Sequence, residues 1–339
     1  MLINILTSLR QKLFEKQLPG FLQSKGNIFK INSKEDIIWD LVVVYDCILD
    51  SVSIKHKKNG LLFISGEPPM VGVYSKLFLN QFDYIISSHT KIKYPQNYFL
   101  QQSLPWYYGY DFANDSINYT FNDLENRDPF IKKAKKISFI TTNRNFLPGH
   151  ILRVKFLEEI QKKYSDYVDI YGIGFHPIND KAEAIDPYCF SICIENSNID
   201  NYWTEKIADA FLGYSVPIYY GCKNISSYFS TDSFIAIDLK DKKATFSQIE
   251  KIIQNTKMIY NEKLSALIES RKKCLYEYNV FFSIVSFAEK YIQNSLSDNI
   301  INTDLQPSKY DYIATKYMKI KRIMSKMHER YNMRVLNII

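Results

Sequence analysis

Short apolar runs separated by turns and amphipathic stretches constrain the fold of this chain more than any other feature of its sequence. Runs rich in Val, Ile, Phe and Tyr that end in polar residues are typical of buried strands. The first such runs are LVVVYD (41–46), LLFIS (61–65) and FDYIIS (82–87). A second series consists of ISFITT (137–142), VDIYG (168–172), FSICIEN (190–196), VPIYYG (216–221) and FIAIDL (234–239). Helical segments between the runs predict parallel βαβ units, and two series of them predict two α/β domains.

The strand pattern is lost over residues 111–136, which end in a lysine-rich stretch. We therefore predict an N-terminal domain at residues 1–130, a second domain at 131–305 and a tail at 306–339. The 339 residues amount to about twice the usual domain length, which agrees with this division. Because open α/β sheets bind ligands at the carboxyl ends of their strands, the cleft between the domains is the expected site.

Composition excludes several classes of protein. A hydrophobic share of 46% with 23% charged residues is that of a folded chain, not a disordered one. No apolar run approaches the length of about 18 residues that a membrane helix needs. The five cysteines form no CxxC pair and have no histidine at metal-ligand spacing, so we predict neither a disulfide framework nor a zinc site. The N-terminal apolar run is too short for a signal peptide, and we expect a cytoplasmic protein.

The net charge of +7 is concentrated in the tail. Residues 309–339 contain eight basic and two acidic side chains, which puts +6 of the total there. A nucleic-acid-binding fold would need basic residues over a groove-sized face, so we predict no nucleic-acid partner. Apolar residues of the tail recur at spacings of three and four: Ile313, Tyr317, Ile320, Met324, Met327 and Tyr331. A basic amphipathic helix of this kind suits an anionic membrane surface at the inner face of the membrane, with docking on the rest of the chain or a coiled-coil seam as equal alternatives.

The segment 190–221 carries the most specific chemical signal. A predicted strand runs into a polar loop, and a helix begins after Thr204, a good N-cap. The free N–H groups and dipole of the helix start, with the charge of Lys206, would accept a diphosphate. The alternative is that Glu205 only favours the helix start and that Lys206 is solvated. The candidate ligand-binding residues of this segment are Glu195, Asn196, Ser197, Thr204, Glu205 and Lys206.

The same segment resembles the α-1,3/1,4-fucosyltransferases of glycosyltransferase family 10. That family has a strand, then FENS or a close variant, then TEK, a small-residue helix and a VP strand with an aromatic-Gly end. The corresponding stretches here are IENS (194–197), TEK (204–206), ADAFLG (208–213) and VPIYYG (216–221). Similarity continues upstream through TTNRN (141–145) and Arg153, and it covers most of residues 137–240.

The resemblance implies a GT-B fold, in which two Rossmann-like domains face each other across a cleft. The C-terminal domain would bind the nucleotide sugar, usually GDP-fucose, and the N-terminal domain the acceptor. Glu205 would bind donor hydroxyls and Lys206 the diphosphate, together with a basic residue on the helix after the first strand of the donor domain. Arg153 occupies that helical position. Arg144 is its rival because the loop before the helix is longer than in the family, and a solvated helix face is the alternative for Arg153.

Glu67 is the candidate catalytic base. The strand LLFIS leads into a Gly-Glu-Pro-Pro corner, which resembles the acidic loop that holds the proposed base of the family. An inverting transfer needs one base for the acceptor proton, and partial burial would raise the pKa of this carboxylate towards the working range. The alternative is that Glu67 only accepts hydrogen bonds from backbone donors in the corner.

The chain contains no Asp-X-Asp triplet, which disfavours an enzyme that holds its diphosphate through a divalent metal. We therefore predict no metal and no cofactor besides the donor, with fixed cations stabilising the leaving group. His89, Trp106 and Tyr107 lie in predicted loops of the first domain and are candidate acceptor contacts, because aromatic faces stack on sugar rings. Ordinary packing is the alternative in a chain with 26 tyrosines.

The prediction from these features is an inverting, metal-independent glycosyltransferase. It would move L-fucose from GDP-fucose to a saccharide or glycolipid acceptor, such as a lipopolysaccharide or capsule-type glycan, in α-1,3 linkage. One alternative is the same fold with a different nucleotide sugar. Another is a non-catalytic protein that binds a polyanion or a partner through its basic tail.

Overall fold

The computed structural model describes residues 1–69, 71–90, 94, 96–145, 147–307 and 311–312. The strands are β1 Leu2–Thr7, β2 Ile28–Ile31, β3 Ile38–Trp39, β4 Leu41–Tyr45, β5 Val52–Lys58, β6 Leu61–Ile64, β7 Gly72–Val73, β8 Tyr84–Ser87, β9 Asn97–Phe99, β10 Tyr110–Asp111, β11 Ser116–Ile117, β12 Lys135–Ile140, β13 Val168–Tyr171, β14 Tyr188–Ile194, β15 Val216–Tyr220, β16 Ile235–Ala236, β17 Ser297–Leu305 and β18 Asp311–Tyr312. The helices are α1 Gln11–Glu15, α2 Gly20–Ser24, α3 Lys76–Leu79, α4 Phe121–Glu125, α5 Pro148–Tyr164, α6 Glu205–Leu212, α7 Lys242–Gln254, α8 Thr256–Tyr276 and α9 Val280–Phe287.

Two parallel sheets organise these elements. The first has the order β2-β1-β4-β6-β8-β9 and the second the order β13-β12-β14-β15-β16. The order changes direction beside β1 in the first sheet and beside β12 in the second, so both sheets are doubly wound. Such a change creates a crevice at the carboxyl edge, where α/β folds bind ligands. The predicted α/β architecture with two sheets is thereby confirmed.

The predicted strands of the first half correspond to β4, β6 and β8, but two earlier strands of the same sheet, β1 and β2, were missed. The strand β1 lies at the very start of the chain and pairs with both β2 and β4. It is buried almost throughout, and its sequence LINILT reads equally well as a short terminal apolar run. In the second half, the predicted strand 234–239 is reduced to β16, which pairs over only two residues at the sheet edge.

The chain returns to the first sheet near its end. The helix α9 packs with strands β1, β4 and β6 in one hydrophobic core, and Asn279 before it donates a hydrogen bond from Nδ2 to the carbonyl of Gln17 at 2.9 Å. Strand β17 then pairs antiparallel with β5 over Val52–Lys58. Helix α9 therefore packs on the first sheet, and β17 belongs to a small sheet with β5 and β3, although the predicted second domain includes both. Helical periodicity shows which face of α9 is apolar but not which sheet covers it.

The segment 111–136, predicted to be a boundary, packs instead of forming a free linker. Phe121 and Leu124 of α4 are fully buried in the core of the second sheet, together with Trp106 and Tyr108 just before the segment. The boundary at residue 130 stays a prediction. The predicted tail helix lies outside the described residues, apart from the backbone of β18. Among the described residues, every helix is too short or too polar to cross a membrane.

Candidate active site

A cavity of about 390 Å³ lies at the carboxyl edge of the second sheet. Its walls come from the ends of β12 and β14, from α5 and α6, and from Tyr107 in the segment that leaves the first sheet. The charged side chains that line it are Arg153, Lys181, Glu205, Lys206 and Asp209. Five charged groups around one partly closed space are typical of a site for a polar, charged ligand.

The turn from β14 into α6 is built on the Glu195 carboxylate. Its Oε1 accepts hydrogen bonds from the backbone N–H of Thr204 at 2.8 Å and from the Thr204 hydroxyl at 2.9 Å. Thr204 is the N-cap of α6, as predicted, and its Oγ1 accepts a bond from the N–H of Lys206. The carboxylate of Glu195 thus fixes the position of the first turn of α6 through its hydrogen bonds with Thr204.

Lys206 lies above this carboxylate. Its Nζ is 3.0 Å from Glu195 Oε2, 2.9 Å from Thr204 Oγ1 and 3.6 Å from Glu205 Oε1. Burial alone would lower the pKa of Lys206, but the charges of Glu195 and Glu205 outweigh burial and raise it. Lys206 is therefore a permanent cation with an exposed side-chain fraction of 26%.

The two glutamates differ in their proton affinity. Burial raises the pKa of Glu195, and Lys206 only partly offsets this effect. Burial would also raise the pKa of Glu205, but the nearby charges of Lys206 and Lys181 lower it to about 2. Glu205 is therefore a carboxylate at any working pH and accepts hydrogen bonds without donating them.

Arg153 is buried, with 7% of its surface exposed, and points into the same cavity. Its guanidinium donates to Asn196 Oδ1 at 2.9 Å and to Thr142 Oγ1 at 3.2 Å. The first turn of α5 lies so close to the Asn196 loop that a Cβ on Gly149 would be 2.0 Å from the Asn196 carbonyl oxygen. Only glycine allows this approach, which brings Arg153 beside the end of β14.

The structure separates the two arginines that the sequence left as rivals. Arg144 is exposed and is not among the residues that line the cavity. Burial lowers the pKa of Arg153, and the nearby charge of Arg144 lowers it further. Arg144 is thus a neighbouring charge at the rim. Ser197 is buried and also does not line the cavity, whereas Asn196 contributes by orienting Arg153.

Sequence reasoning missed Lys181 and Asp209. Lys181 Nζ is 2.7 Å from Asp209 Oδ2 and 3.4 Å from Glu205 Oε1, and it lies 4.7 Å above the Tyr107 ring. Asp209 Oδ1 accepts hydrogen bonds from the backbone N–H groups of Tyr107 and Tyr108, both at 3.0 Å. Asp209 follows Glu205 by four residues on α6, so helical spacing could have revealed it. The segment around Lys181 has no periodic pattern that could have done so.

Glu67 lies in the loop after β6, at the carboxyl edge of the first sheet. Burial raises the pKa of Glu67 to about 7, and the charge of Asp46 adds to this effect. Lys206 opposes the shift and Glu205 supports it, so the Glu67 carboxylate is within electrostatic range of the second sheet's charged groups.

Two of the three predicted acceptor contacts are packing residues. Trp106 and His89 are only 1% and 3% exposed, which leaves no ring face for a sugar. Trp106 belongs to the core of the second sheet, and the His89 ring donates from Nε2 to the Glu67 carbonyl at 2.8 Å. Tyr107 differs from both, because it is half-buried and lines the cavity. Burial and the charge of Glu205 raise the pKa of Tyr107, which keeps its hydroxyl protonated.

No group of three or more His, Cys, Asp or Glu side chains that could hold a metal ion occurs in the part of the chain that the structure describes.

Comparison with solved structures defines the class of this fold. A crystal structure of α1,3-fucosyltransferase with GDP-fucose matches 89% of this chain and 92% of its own, with a TM-score of 0.51 and 20% identity. An α-glucosyltransferase in complex with UDP and DNA matches 86% of this chain and 98% of its own, with a TM-score of 0.50 and 10% identity. At these identities the likeness concerns the fold alone. The described chain has the GT-B fold of these glycosyltransferases.

Sequence comparison shows a similarity to one family over part of the chain. Residues 130–265 match the model for glycosyltransferase family 10 (fucosyltransferase), C-terminal region. An alpha-(1,3)-fucosyltransferase of Helicobacter pylori is 28% identical over 127 residues, 36% of this chain and 26% of that protein. A human 4-galactosyl-N-acetylglucosaminide 3-alpha-L-fucosyltransferase is 30% identical over 142 residues, 39% of this chain and 38% of that protein. Residues 130–265 are therefore similar to the C-terminal region of glycosyltransferase family 10, and the matched part of the chain spans well under half the length of these relatives.

The contacts of Lys181 lead to a prediction about stability. Lys181→Met should lower the free energy of unfolding by about 3–5 kcal/mol, because Asp209 and Glu205 would keep buried charges without this cation. The double variant Lys181→Met/Asp209→Asn should recover part of that loss. Urea denaturation measures both values.

Lys272→Met is the matched control, since Lys272 pairs with Glu269 at 2.8 Å but both side chains are more than half exposed. It should cost less than about 0.5 kcal/mol. Equal losses in the Lys181 and Lys272 variants would contradict a structural role for the buried pair.

Proposed function

We propose that this protein is an inverting glycosyltransferase that moves L-fucose from GDP-fucose to a hydroxyl of a saccharide or glycolipid acceptor. The observation that carries the proposal is the meeting of Lys206, Arg153 and Glu205 at one cavity. The charges of Lys206 and Glu205 also act on Glu67, which follows strand β6 of the first sheet. The match of residues 130–265 to the family 10 model and the fucosyltransferase names of the relatives support the donor. A lipopolysaccharide or capsule-type acceptor and an α-1,3 linkage are the finer parts of the proposal.

The donor diphosphate would bind at the start of α6. Lys206 carries three protons on Nζ, and its contact with Glu205, at 3.6 Å, is the longest of its three. A phosphate oxygen would replace that contact, while Glu195 and Thr204 keep the ammonium group in place. Glu205 would then accept hydrogen bonds from the sugar hydroxyls.

Arg153 would supply the second cation. Its contacts with Asn196 and Thr142 hold the guanidinium at the cavity wall before the donor binds. Negative charge develops on GDP as the bond from the anomeric carbon to the phosphate oxygen breaks. Fixed cations stabilise that charge more in the transition state than in the ground state, which accelerates the transfer. We propose that these side chains do this work in place of a metal ion, since the sequence has no Asp-X-Asp triplet.

Glu67 would take the acceptor proton. A base with a pKa of about 7 is partly ionised at neutral pH and is stronger than an ordinary carboxylate. The acceptor oxygen would attack the anomeric carbon from the face opposite GDP, which inverts its configuration. Tyr107 at the cavity wall remains the proposed acceptor contact among the aromatic residues.

For residues 309–339 we propose contact with an anionic membrane surface. The support for this proposal is the sequence alone: a net charge of +6 on a stretch with one apolar face. Docking on the rest of the chain and coiled-coil pairing are the other outcomes of its test.

Variants of the three cations test the donor site. Lys206→Ala should weaken GDP binding by about 10- to 100-fold, because a charge-assisted hydrogen bond contributes about 1.5–3 kcal/mol. Arg153→Ala should behave likewise, and the exposed Arg144→Ala should change the affinity far less. Calorimetric titration with GDP measures these effects, with UDP as the comparison nucleotide.

Unchanged GDP affinity in a folded Lys206→Ala protein would disprove the donor site. A larger effect of Arg144→Ala than of Arg153→Ala would make Arg144 the phosphate ligand. Tighter binding of UDP than of GDP would favour the alternative nucleotide sugar.

Replacing the base tests the reaction. Glu67→Gln keeps the shape of the side chain but cannot take a proton, so fucose transfer should fall by about 10²- to 10⁴-fold with GDP affinity intact. The same variant should be more stable than the wild type above pH 7. The folded protein has a raised Glu67 pKa, so wild-type stability is lost as the pH rises from about 4.3, the unfolded value, through about 7.

Below about pH 4 the two proteins should have the same stability, because Glu67 is then protonated in both the folded and the unfolded states. Thermal unfolding as a function of pH measures this difference. Near-normal transfer by Glu67→Gln would remove Glu67 from the mechanism.

Truncation tests the tail. A variant that ends at Leu305 should keep its GDP affinity but lose binding to vesicles that contain anionic lipid. Each basic residue near such a surface contributes about 1 kcal/mol, screened over roughly 8 Å at physiological salt, so binding of the full chain should fall steeply with salt. If the full chain does not bind the vesicles, and truncation lowers the melting temperature or changes the oligomeric state, the tail packs on the rest of the chain or on a second copy instead.

A further inference from the structure

Asp46 lies directly beside the loop that carries Glu67. It follows β4, whose last residue Tyr45 is paired with Ile64 at the end of β6. The backbone N–H of Asp46 donates to the Ile64 carbonyl at 2.8 Å, which extends the pairing by one residue. A Cβ built on Gly66 would lie 2.7 Å from both Cγ and Oδ1 of Asp46. The Asp46 carboxylate therefore occupies the space that a side chain at position 66 would need.

The backbone of Asp46 is held in a conformation that few residues adopt. Its φ is +62°, in the left-handed region that favours glycine, asparagine and aspartate. Residues held in such conformations cost free energy and cluster at functional sites. The Tyr74 hydroxyl donates to Asp46 Oδ1 at 3.2 Å and fixes the direction of the carboxylate.

The other side of the Glu67 loop is held by His89. Its ring donates from Nε2 to the Glu67 carbonyl and packs on Tyr74, with ring centroids 5.3 Å apart. Burial lowers the pKa of His89, so the ring is neutral near pH 7. Asp46 after β4, His89 after β8 and Tyr74 between β7 and α3 thus enclose the loop.

We infer that Asp46 is a positioning residue for the proposed base. Its carboxylate, fixed against Gly66 by the strand pairing and by Tyr74, holds a second negative charge beside Glu67. This inference rests on the proposed function, because Asp46 can assist the reaction in this way only if Glu67 takes the acceptor proton.

The charges around Glu67 agree with this role. Burial is the largest influence that raises the pKa of Glu67, and Asp46 is the next largest. On the opposite side of the cleft, Lys206 lowers it and Glu205 raises it slightly. Tyr107 and Tyr202 also face Glu67, with raised pKa values, so both are uncharged at neutral pH. Among the described residues of the first sheet and its loops, Asp46 is thus the main negative charge that acts on the base.

In the transfer step, the acceptor oxygen forms a bond to the anomeric carbon and its proton moves to Glu67. The bond from the anomeric carbon to the phosphate oxygen breaks, and its electron pair leaves with GDP. Asp46 exchanges no proton and forms no bond. Its charge favours the protonated product form of Glu67, which makes the proton transfer more favourable.

Asp46→Asn tests the inference, because asparagine keeps the shape, tolerates the positive φ and still accepts from Tyr74. Carbon-13 NMR of the Glu67 carboxyl in the full chain, without donor or acceptor, should show its titration midpoint about one pH unit lower than in the wild type. The acidic limb of the kcat/KM profile for fucose transfer should move in the same direction. A purely structural role would lower the rate at every pH and leave the midpoint unchanged.

Asp83→Asn is the matched control. Asp83 accepts from the N–H of Leu61 at 2.9 Å, at the opposite end of β6, so this variant should leave the Glu67 midpoint where it is. If Asp46→Asn does not fold, Tyr74→Phe gives a second measurement with the opposite sign. It removes the hydroxyl dipole that partly offsets the Asp46 charge, and the Glu67 midpoint should rise.

An unchanged midpoint in folded Asp46→Asn, or in Tyr74→Phe where that variant replaces it, would overturn the inference. If the wild type transfers fucose but Asp46→Asn leaves the Glu67 midpoint unchanged, the inference about Asp46 is wrong and the proposed function stands. A midpoint that shifts as expected in a protein that transfers no sugar would overturn the proposed function and support the coupling of the two carboxylates.

Discussion

The charged cavity at the edge of the second sheet depends on one buried carboxylate, that of Glu195. Burying a charge is costly unless charged and hydrogen-bonding partners surround it. Here the partners are the N-cap of α6 and the ammonium group of Lys206, so the pairing that stabilises the carboxylate also sets the geometry of the site. These contacts therefore fix the end of β14, the start of α6 and the position of the Lys206 ammonium group together. If any of the three moved, the Glu195 carboxylate would lose a partner.

The buried ions of the cavity balance one another. Three carboxylates, those of Glu195, Glu205 and Asp209, face three cations, those of Lys181, Lys206 and Arg153, so their formal charges cancel. Such a site is ordered before any anion enters it, and it pays little reorganisation when charge develops on a leaving group. In the proposed reaction, the same balance would limit the attraction for a free diphosphate and would favour rate over tight ground-state binding.

The sequence predicted those features that depend on local order along the chain. Buried strands, the N-cap at Thr204 and the placement of Lys206 all follow from residues close in sequence. Arg153 was a candidate through the family resemblance, with Arg144 as its rival. Lys181 and Asp46 could not be found in this way, because their roles come from neighbours on other strands and helices. Burial of Trp106 and His89 was equally invisible, since an aromatic ring in a predicted loop gives no sign of whether it faces the cleft or the core. The sequence also did not show which of the two sheets α9 packs on. That depends on which sheet has an apolar face left uncovered, which only the three-dimensional structure shows.

The return of the chain to its first sheet also affects the order of folding. Strand β5 pairs with β17, whose residues come more than two hundred positions later. During synthesis, strands β1 to β9 would leave the ribosome long before α9 and β17 are made. One apolar face of the first sheet would therefore stay exposed until these later elements pack on it. The second sheet has its helices within its own stretch of sequence and meets no such delay. Long-range pairing of this kind slows folding and prolongs exposure of apolar surface, which makes the nascent first sheet the part of this protein most in need of a chaperone.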